Sequence, residues 1–274
     1  MVEIRILEKT NDVMRFIAQG VDTPFVNALR RIMLAEVPTM AVDEVIILEN
    51  TSILNDEIVA HRLGLIPLKT DLDSYNLPEE CTCQSKFGCS LCRLDLTLEA
   101  EATDDTLTVY SGELESTNLD VKPVSETIPV VKLAPGQKIK LEAYARLGVG
   151  KDHAKWQPVS VCTYRYLPTI QIDQKRCSAC ADCVKICPKR ILIDMEDGIQ
   201  TSNVIECTLC MDCVDACPQD PPAIEVSWDD EAFVFEIEST GVLPVERIVF
   251  EAIKILEKKI GEFSSQIKSV GKRK

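Results

Sequence analysis

The sequence predicts an α+β fold, and three observations carry that reading. Leu94-Leu96-Leu98, Leu107-Val109 and Phe233-Phe235-Ile237 alternate with polar or smaller residues, the pattern of strands with one covered face. Two apolar helices are written near opposite ends of the chain, at 23–37 and from Pro244 onward. Between them lie thirteen cysteines, eight of them in a doubled repeat.

Composition narrows the functional classes. A chain of 274 residues has room for two or three domains, and 46% apolar residues can bury a sizeable core. No apolar run approaches the ~18 residues of a membrane span, and the charged start Met1-Val2-Glu3-Ile4-Arg5 is no signal peptide, so a cytoplasmic protein is expected. A net charge of −14 disfavours direct nucleic-acid binding. Thirteen cysteines in such a chain point to a reducing compartment and to metal ligation rather than disulfides. His61 and His153 are the only histidines, a thin supply of general bases.

Taken in order, residues 2–9 and 13–19 read as two strands joined at Thr10-Asn11-Asp12. Thr23 then serves as a helix N-cap with Pro24 at the first helical position, and Pro38 stops a helix about 20 Å long. Phe25, Ala28, Leu29, Ile32 and Met33 follow helical spacing, but Val26, Leu34 and Val37 spill onto the other side. That helix needs cover on more than one side, from its own domain or from a second chain. Residues 42–49 read as a strand, and 56–65 as a short helix carrying His61 and Arg62, ended by Gly64 and Pro67. The segment 71–128 holds 13 Asp/Glu against Lys86, Arg93 and Lys122, which marks a solvated surface. Residues 139–146 form another strand, and 148–158 a loop. Gly150-Lys151 within it is no phosphate loop, because Ala145 stands where the first Gly belongs and Asp152 where Ser/Thr belongs.

Pro244 opens the last helix. Val245, Ile248, Val249, Ala252, Ile253, Leu256, Ile260, Phe263 and Ile267 fall on one stripe, with Glu251, Lys254, Glu257 and Lys258 opposite. Six turns of stripe exceed what the chain's own strands could cover, so a partner helix is expected. Gly261 weakens this helix by about 1 kcal/mol relative to Ala, and the basic end 268–274 suits a frayed C-terminus.

The cysteines carry the chemistry. Cys177-x2-Cys180-x2-Cys183-x3-Cys187-Pro188 is repeated as Cys207-x2-Cys210-x2-Cys213-x3-Cys217-Pro218. This is the two-cluster bacterial ferredoxin arrangement, in which each fourth cysteine ligates the other cluster. It predicts two [4Fe–4S] clusters, one on Cys177, Cys180, Cys183 and Cys217, the other on Cys207, Cys210, Cys213 and Cys187. A zinc pair suits this spacing poorly. Separately, Cys81-x-Cys83-x5-Cys89-x2-Cys92 with Gly88 at its turn could close one structural Zn2+ site, or stand empty. Cys162 reads as a small buried hydrophobe.

Asn27-Ala28-Leu29-Arg30-Arg31-Ile32-Met33 and its continuation to Ala41, His61-Arg62-Leu63-Gly64-Leu65-Ile66-Pro67-Leu68, the loop 150–159 and the closing helix together resemble the D-subunit family of archaeal RNA polymerases. That family is related to the eukaryotic third-largest polymerase subunit and the N-terminal domain of bacterial alpha. The resemblance implies a dimerisation domain built from residues 1–48 and 225–274, an inserted mainly β domain at 49–165, and a ferredoxin-like domain at 166–224. It implies a smaller partner, subunit L, whose helices cross Phe25, Leu29, Ile32, Ile248, Ala252, Ile253, Leu256 and Ile260. It also implies docking of subunits N and P and the large catalytic subunits, with Arg30, Arg31 and the loop from His153 to Trp156 as contact candidates. Nothing in the chain resembles a metal-binding Asp triad, so nucleotidyl transfer would belong to the large subunits. The rival reading is a ferredoxin-type electron-transfer subunit of an oxidoreductase; against it, no flavin or nucleotide motif accompanies the cysteines.

Overall fold

The computed structural model describes residues 2–83, 85 and 88–271. In chain order the first elements are β1 (Glu3–Lys9), β2 (Val13–Gln19), α1 (Thr23–Ala35), β3 (Thr39–Asn50), α2 (Asp56–Gly64), β4 (Leu94–Glu101), β5 (Leu107–Tyr110), β6 (Glu115–Ser116) and β7 (Pro129–Leu133). There follow β8 (Lys138–Gly148), β9 (Val159–Ile172), α3 (Asp182–Ile186), β10 (Leu192–Met195), β11 (Gly198–Thr201), α4 (Asp212–Asp215), β12 (Ile224–Ser239) and α5 (Val245–Gly271). Every helix and strand expected from the pattern forms, most of them longer than expected. Strands β5 and β7 pair with each other, as do β10 and β11; the two larger sheets run β1-β2-β12-β9 and β3-β8-β4-β6.

The chain divides into two compact units. One comprises Met1–Glu8, Arg15–Asn27 and Thr163–Glu236; the other comprises Lys9–Met14, Ala28–Cys162 and Ile237–Lys274. In the first, Phe16 stacks on Phe235 with ring centroids 4.9 Å apart, and Tyr164 and Tyr166 close on Phe233 at 5.8 and 5.1 Å. Phe233 and Phe235 are fully buried, so these large rings on neighbouring strands contribute strongly to the driving force for this sheet. A smaller core of Ile191, Leu192, Ile199, Ile224 and Val226 packs with the cysteines of segment 177–217.

In the second unit the alternation of β4 and β8 builds the core. Leu94, Leu96 and Leu98 point inward beside Ile139, Leu141, Ala143 and Ala145, with Leu98 opposite Leu141 and Leu96 opposite Ala143. Strand β3 pairs with β8 from Thr39 opposite Gly148 to Asn50 opposite Ile139, with register shifts near Val42/Glu44 and Ile47/Glu49. Val59 and Leu63 of α2 and Val131 and Leu133 of β7 cover the inner face.

The start of α1 differs from expectation by one residue. The side chain of Asp22, not Thr23, accepts the Phe25 N–H at 3.0 Å, so Asp22 is the N-cap, while the Thr23 hydroxyl meets the Tyr166 hydroxyl at 3.3 Å. Helix α5 runs 27 residues, about 40 Å. Its N-terminus is anchored by Val245 N–H to Asn11 C=O (2.9 Å) and by Lys9 to Glu246 (2.7 Å). Further along, Arg247 pairs with Asp73, Lys258 with Glu80, and Lys259 with Glu36. The expected frayed end lies partly outside the described residues, at 272–274. No described helix is long and apolar enough to cross a membrane.

Candidate metal centres and dimerisation helices

Segment 204–217 repeats segment 174–187 in backbone as well as in sequence. Ala179 and Ala181 between the first cysteines, and Leu209 and Met211 between the second, all have φ between +55° and +66°. For non-glycine residues the left-handed region costs roughly 1–2 kcal/mol each, and the two loops carry that strain at matching positions. Short helices α3 and α4 follow each loop and carry the third cysteine, Cys183 and Cys213.

The structure brings the eight cysteines together in two sets of four. Cys177, Cys180, Cys183 and Cys217 line one cavity, with Ile172, Ile199, Ala223 and Ile224 as its apolar wall. Cys187, Cys207, Cys210 and Cys213 line the other, with Ile170, Ile191, Leu192 and Val226. In each set the fourth cysteine comes from the other repeat. The Ala223 N–H donates to Cys217 Sγ at 3.3 Å and the Leu209 N–H to Cys207 Sγ at 3.5 Å. Burial, together with the neighbouring Cys207, Cys210 and Cys187, pushes the Cys213 thiol up to about 11.

The quartet at 81–92 has different dimensions. Cys81 and Cys89 Sγ are 3.7 Å apart, Cys83 and Cys92 3.8 Å, and Cys89 and Cys92 3.8 Å. A tetrahedral ion with Zn–S of about 2.3 Å places its sulfurs about 3.8 Å apart, so these four fit one zinc-sized ion. Among the described residues this is the one group of ligand atoms lying within 4.8 Å of one another. Each cavity at 177–217 instead offers four cysteine thiols within an apolar wall, a donor set suited to a metal. A backbone N–H, that of Ser85, heads the contacts that hold the Cys83 thiol down to about 7; burial pushes Cys92 up to about 12. Gly88 turns with φ +78°, and a Cβ there would stand 3.1 Å from Arg93 Cβ and 3.3 Å from Cys92 Sγ.

Cys162 is buried as expected, its thiol 3.9 Å from the Arg30 carbonyl and pushed up to about 12 by burial.

The helical stripe is divided by the fold. Leu29 and Ile32 of α1 and Ile248 and Ala252 of α5 are buried within the chain itself. Phe25 (43% exposed), Ile253, Ile260 (61%), Phe263 (65%) and Ile267 lie open, and Leu256 is half-buried. Arg30 is half-buried and Arg31 exposed. In the loop after β8, Trp156 is buried and Lys155 is committed inward. Its Nζ contacts Asp43 Oδ1 at 2.6 Å and the Val42 carbonyl at 3.0 Å, and lies 4.3 Å over the Trp156 ring. Arg146 Nε meets the other Asp43 oxygen at 2.6 Å. Burial works to raise the Asp43 carboxyl, but hydrogen bonds and charge from Lys155 and Arg146 outweigh it and hold its pKa below the ordinary value. Gly150 owes its identity to packing, since a Cβ there would sit 2.3 Å from the Leu34 carbonyl oxygen.

A family model described as the RNA polymerase Rpb3/Rpb11 dimerisation domain matches residues 15–260. The chain belongs to that family. Among its Rpb3/Rpb11 relatives, a DNA-directed RNA polymerase subunit Rpo3 of Methanosphaera stadtmanae is 40% identical over 94% of this chain and 96% of its own length. Those of Archaeoglobus fulgidus and Pyrococcus horikoshii are each 42% identical, over 98% and 97% of this chain and 99% and 98% of theirs. These matches take in both chain ends as well as the cysteine segment, and so do not favour an electron-transfer subunit.

Proposed function

We propose that this chain is a non-catalytic assembly subunit of an archaeal DNA-directed RNA polymerase. The observation that carries the reading is the end-to-end relationship to polymerase subunits, with the dimerisation family spanning 15–260. The partner is subunit L. Its helices pair with the open faces of α1 and α5, while the buried residues Leu29, Ile32, Ile248 and Ala252 hold those helices in place from beneath. Subunits N and P and the large catalytic subunits then dock on the heterodimer. Residues 1–48 and 225–274 act as the dimerisation domain, 49–165 as an inserted β domain, and 166–224 as a ferredoxin-like domain.

Two [4Fe–4S] clusters fit the two cysteine sets, held by Cys177, Cys180, Cys183 and Cys217 and by Cys187, Cys207, Cys210 and Cys213. Bound there, they would supply the charge neutralisation and cross-linking that so small an insert lacks, and metal binding of this kind contributes directly to folding. Cys81, Cys83, Cys89 and Cys92 would hold one zinc ion. The clusters serve assembly rather than electron delivery.

Stepwise reconstitution tests this. Holo and cluster-free chain should both form a soluble 1:1 complex with subunit L, and the cluster-free complex should yield less complete polymerase. A well-behaved monomer that ignores subunit L would refute the assembly role. Equal polymerase yield from both forms would refute the role of the clusters.

A further inference from the structure

We infer that the two cluster positions are mechanically unequal: the one on Cys187, Cys207, Cys210 and Cys213 is clasped to the β1-β2-β12-β9 sheet by Arg15 and Arg165, and the other is not. This rests on the cluster assignment proposed above and adds to it a direction of communication.

The clasp lies on one side of the second cysteine loop. Arg165 on β9 donates from Nη1 to the Cys207 carbonyl oxygen at 3.0 Å, gripping a ligand residue by its backbone. One residue earlier, Glu206 receives Arg15 Nη2 of β2 at 3.1 Å, a contact spanning 191 residues of sequence. Arg15 Nε lies 3.8 Å from Glu236 on β12, so a single guanidinium stands between β2, β12 and the cysteine loop. Arg15 and Glu206 are about two-thirds covered, which puts this pair above an exposed ion pair in worth. Arg15 and Arg165 therefore position the loop without touching the cysteine sulfurs.

Among the described residues the first loop has no equivalent. In the repeat, Arg176 stands where Glu206 stands in the second half, and it donates to the Pro221 carbonyl within the insert. Gln174 reaches the Ile199 carbonyl at 2.6 Å, and Lys185 pairs with Asp182 at 3.0 Å. These side chains all find their partners within 173–223. The cavity walls agree with this order. The clasped set lies against Ile170 and Val226, and the other lies one step further out along the same strands, against Ile172 and Ile224.

Loss of the clasped cluster frees Cys207 from its anchor and so releases Glu206 and the carbonyl that Arg165 holds. Strand β2, which leads through Gly20 and Val21 into α1, then loses a charged tether. Loss of the outer cluster loosens the insert alone. The insert thus reports to the dimerisation framework through one cluster.

Hydrogen exchange read by mass spectrometry on anaerobically purified full-length chain tests this, with iron measured in every sample. Cys213→Ser should raise exchange in 13–19 and 160–170 by about tenfold, the scale expected for losing charge-assisted hydrogen bonds. Cys183→Ser should leave those segments as in the parent chain while raising exchange in 173–187. Arg15→Gln with Arg165→Gln, in chain that still carries its full iron, should loosen the same strands and quicken iron loss to a chelator from the clasped set only. Adding Cys213→Ser to that pair should change the strands no further. Equal effects of the two cysteine variants on 13–19 and 160–170, or none from either, would overturn the inference while leaving the clusters intact. A parent chain that binds no iron would overturn the cluster assignment and the inference with it.

Discussion

Phe263 offers a clean separation between folding and assembly. Its side chain is 65% exposed on α5, with Ile260 and Ile267 open beside it. If subunit L covers it, about 130 Å² of aromatic surface leaves water, from a side chain of roughly 200 Å². At about 25 cal/mol per Å² that is about 3 kcal/mol, or on the order of a hundredfold in Kd. Phe263→Ala should therefore weaken binding of subunit L by that factor and leave the chain's own melting unchanged, since surface truncations fall within about 0.5 kcal/mol. Ile248→Ala is the control. That side chain is wholly buried beneath the helix, and its truncation should cost about 2–5 kcal/mol of stability. Isothermal titration of subunit L into each variant, beside thermal melts of the chain alone, separates the two effects. Unchanged affinity in Phe263→Ala would remove the open stripe from the interface. A lowered melting temperature would show that Phe263 is packed in the chain itself.

Other consequences can be measured directly. Ile253→Asp, which puts an unpaired carboxylate on the same face, should cost several kcal/mol of heterodimer stability, seen as free subunits on size-exclusion chromatography. Asp43→Asn removes the partner of Lys155 and Arg146 and should cost about 1.5–3 kcal/mol at neutral pH. Because the folded pKa of Asp43 is depressed, its contribution is full above the ordinary carboxylate value of 3.8 and is lost as pH falls through the lower folded value. Acid titration followed by Trp156 fluorescence should show a transition there that Asp43→Asn lacks. Gly148→Ala places a methyl 2.3 Å from the Trp156 ring and should destabilise the 150–157 loop by about 1–3 kcal/mol, measured by thermal melting. Elemental analysis should find ~8 Fe per chain, and Cys217→Ser should damage the set holding Cys177, Cys180 and Cys183 rather than the one nearer in sequence; spectra showing the reverse would refute the exchange of fourth ligands.

What could be read without coordinates depended on how far apart the cooperating residues lie. The cysteine sets follow from spacing along a short stretch of backbone, and β4, β8, β12 and α5 from periodicities that survive because one face is covered. Strand β7 escaped because Val130, Val131 and Leu133 are buried on both faces and give no alternation. The β10–β11 hairpin escaped because Asp194, Glu196 and Asp197 make it look like a loop. Asp22 and Thr23 are both good caps, and only the reach of a side chain to the Phe25 amide chooses between them. The stripe on α5 shows the deeper limit. Helical spacing places Ala252 and Phe263 on one face, eleven residues and three turns apart, yet the first is buried in the chain's own core and the second lies open. The change comes where the helix outruns the cover its own chain supplies, a fact of tertiary length that no local pattern records. Arg15 and Arg165 lie at the far end of the same scale. Each looks like an ordinary charge on a strand until a residue 191 or 42 positions away completes it. A residue that transmits between parts of a fold is thus the kind least visible in sequence, because its partner is supplied by topology rather than by spacing.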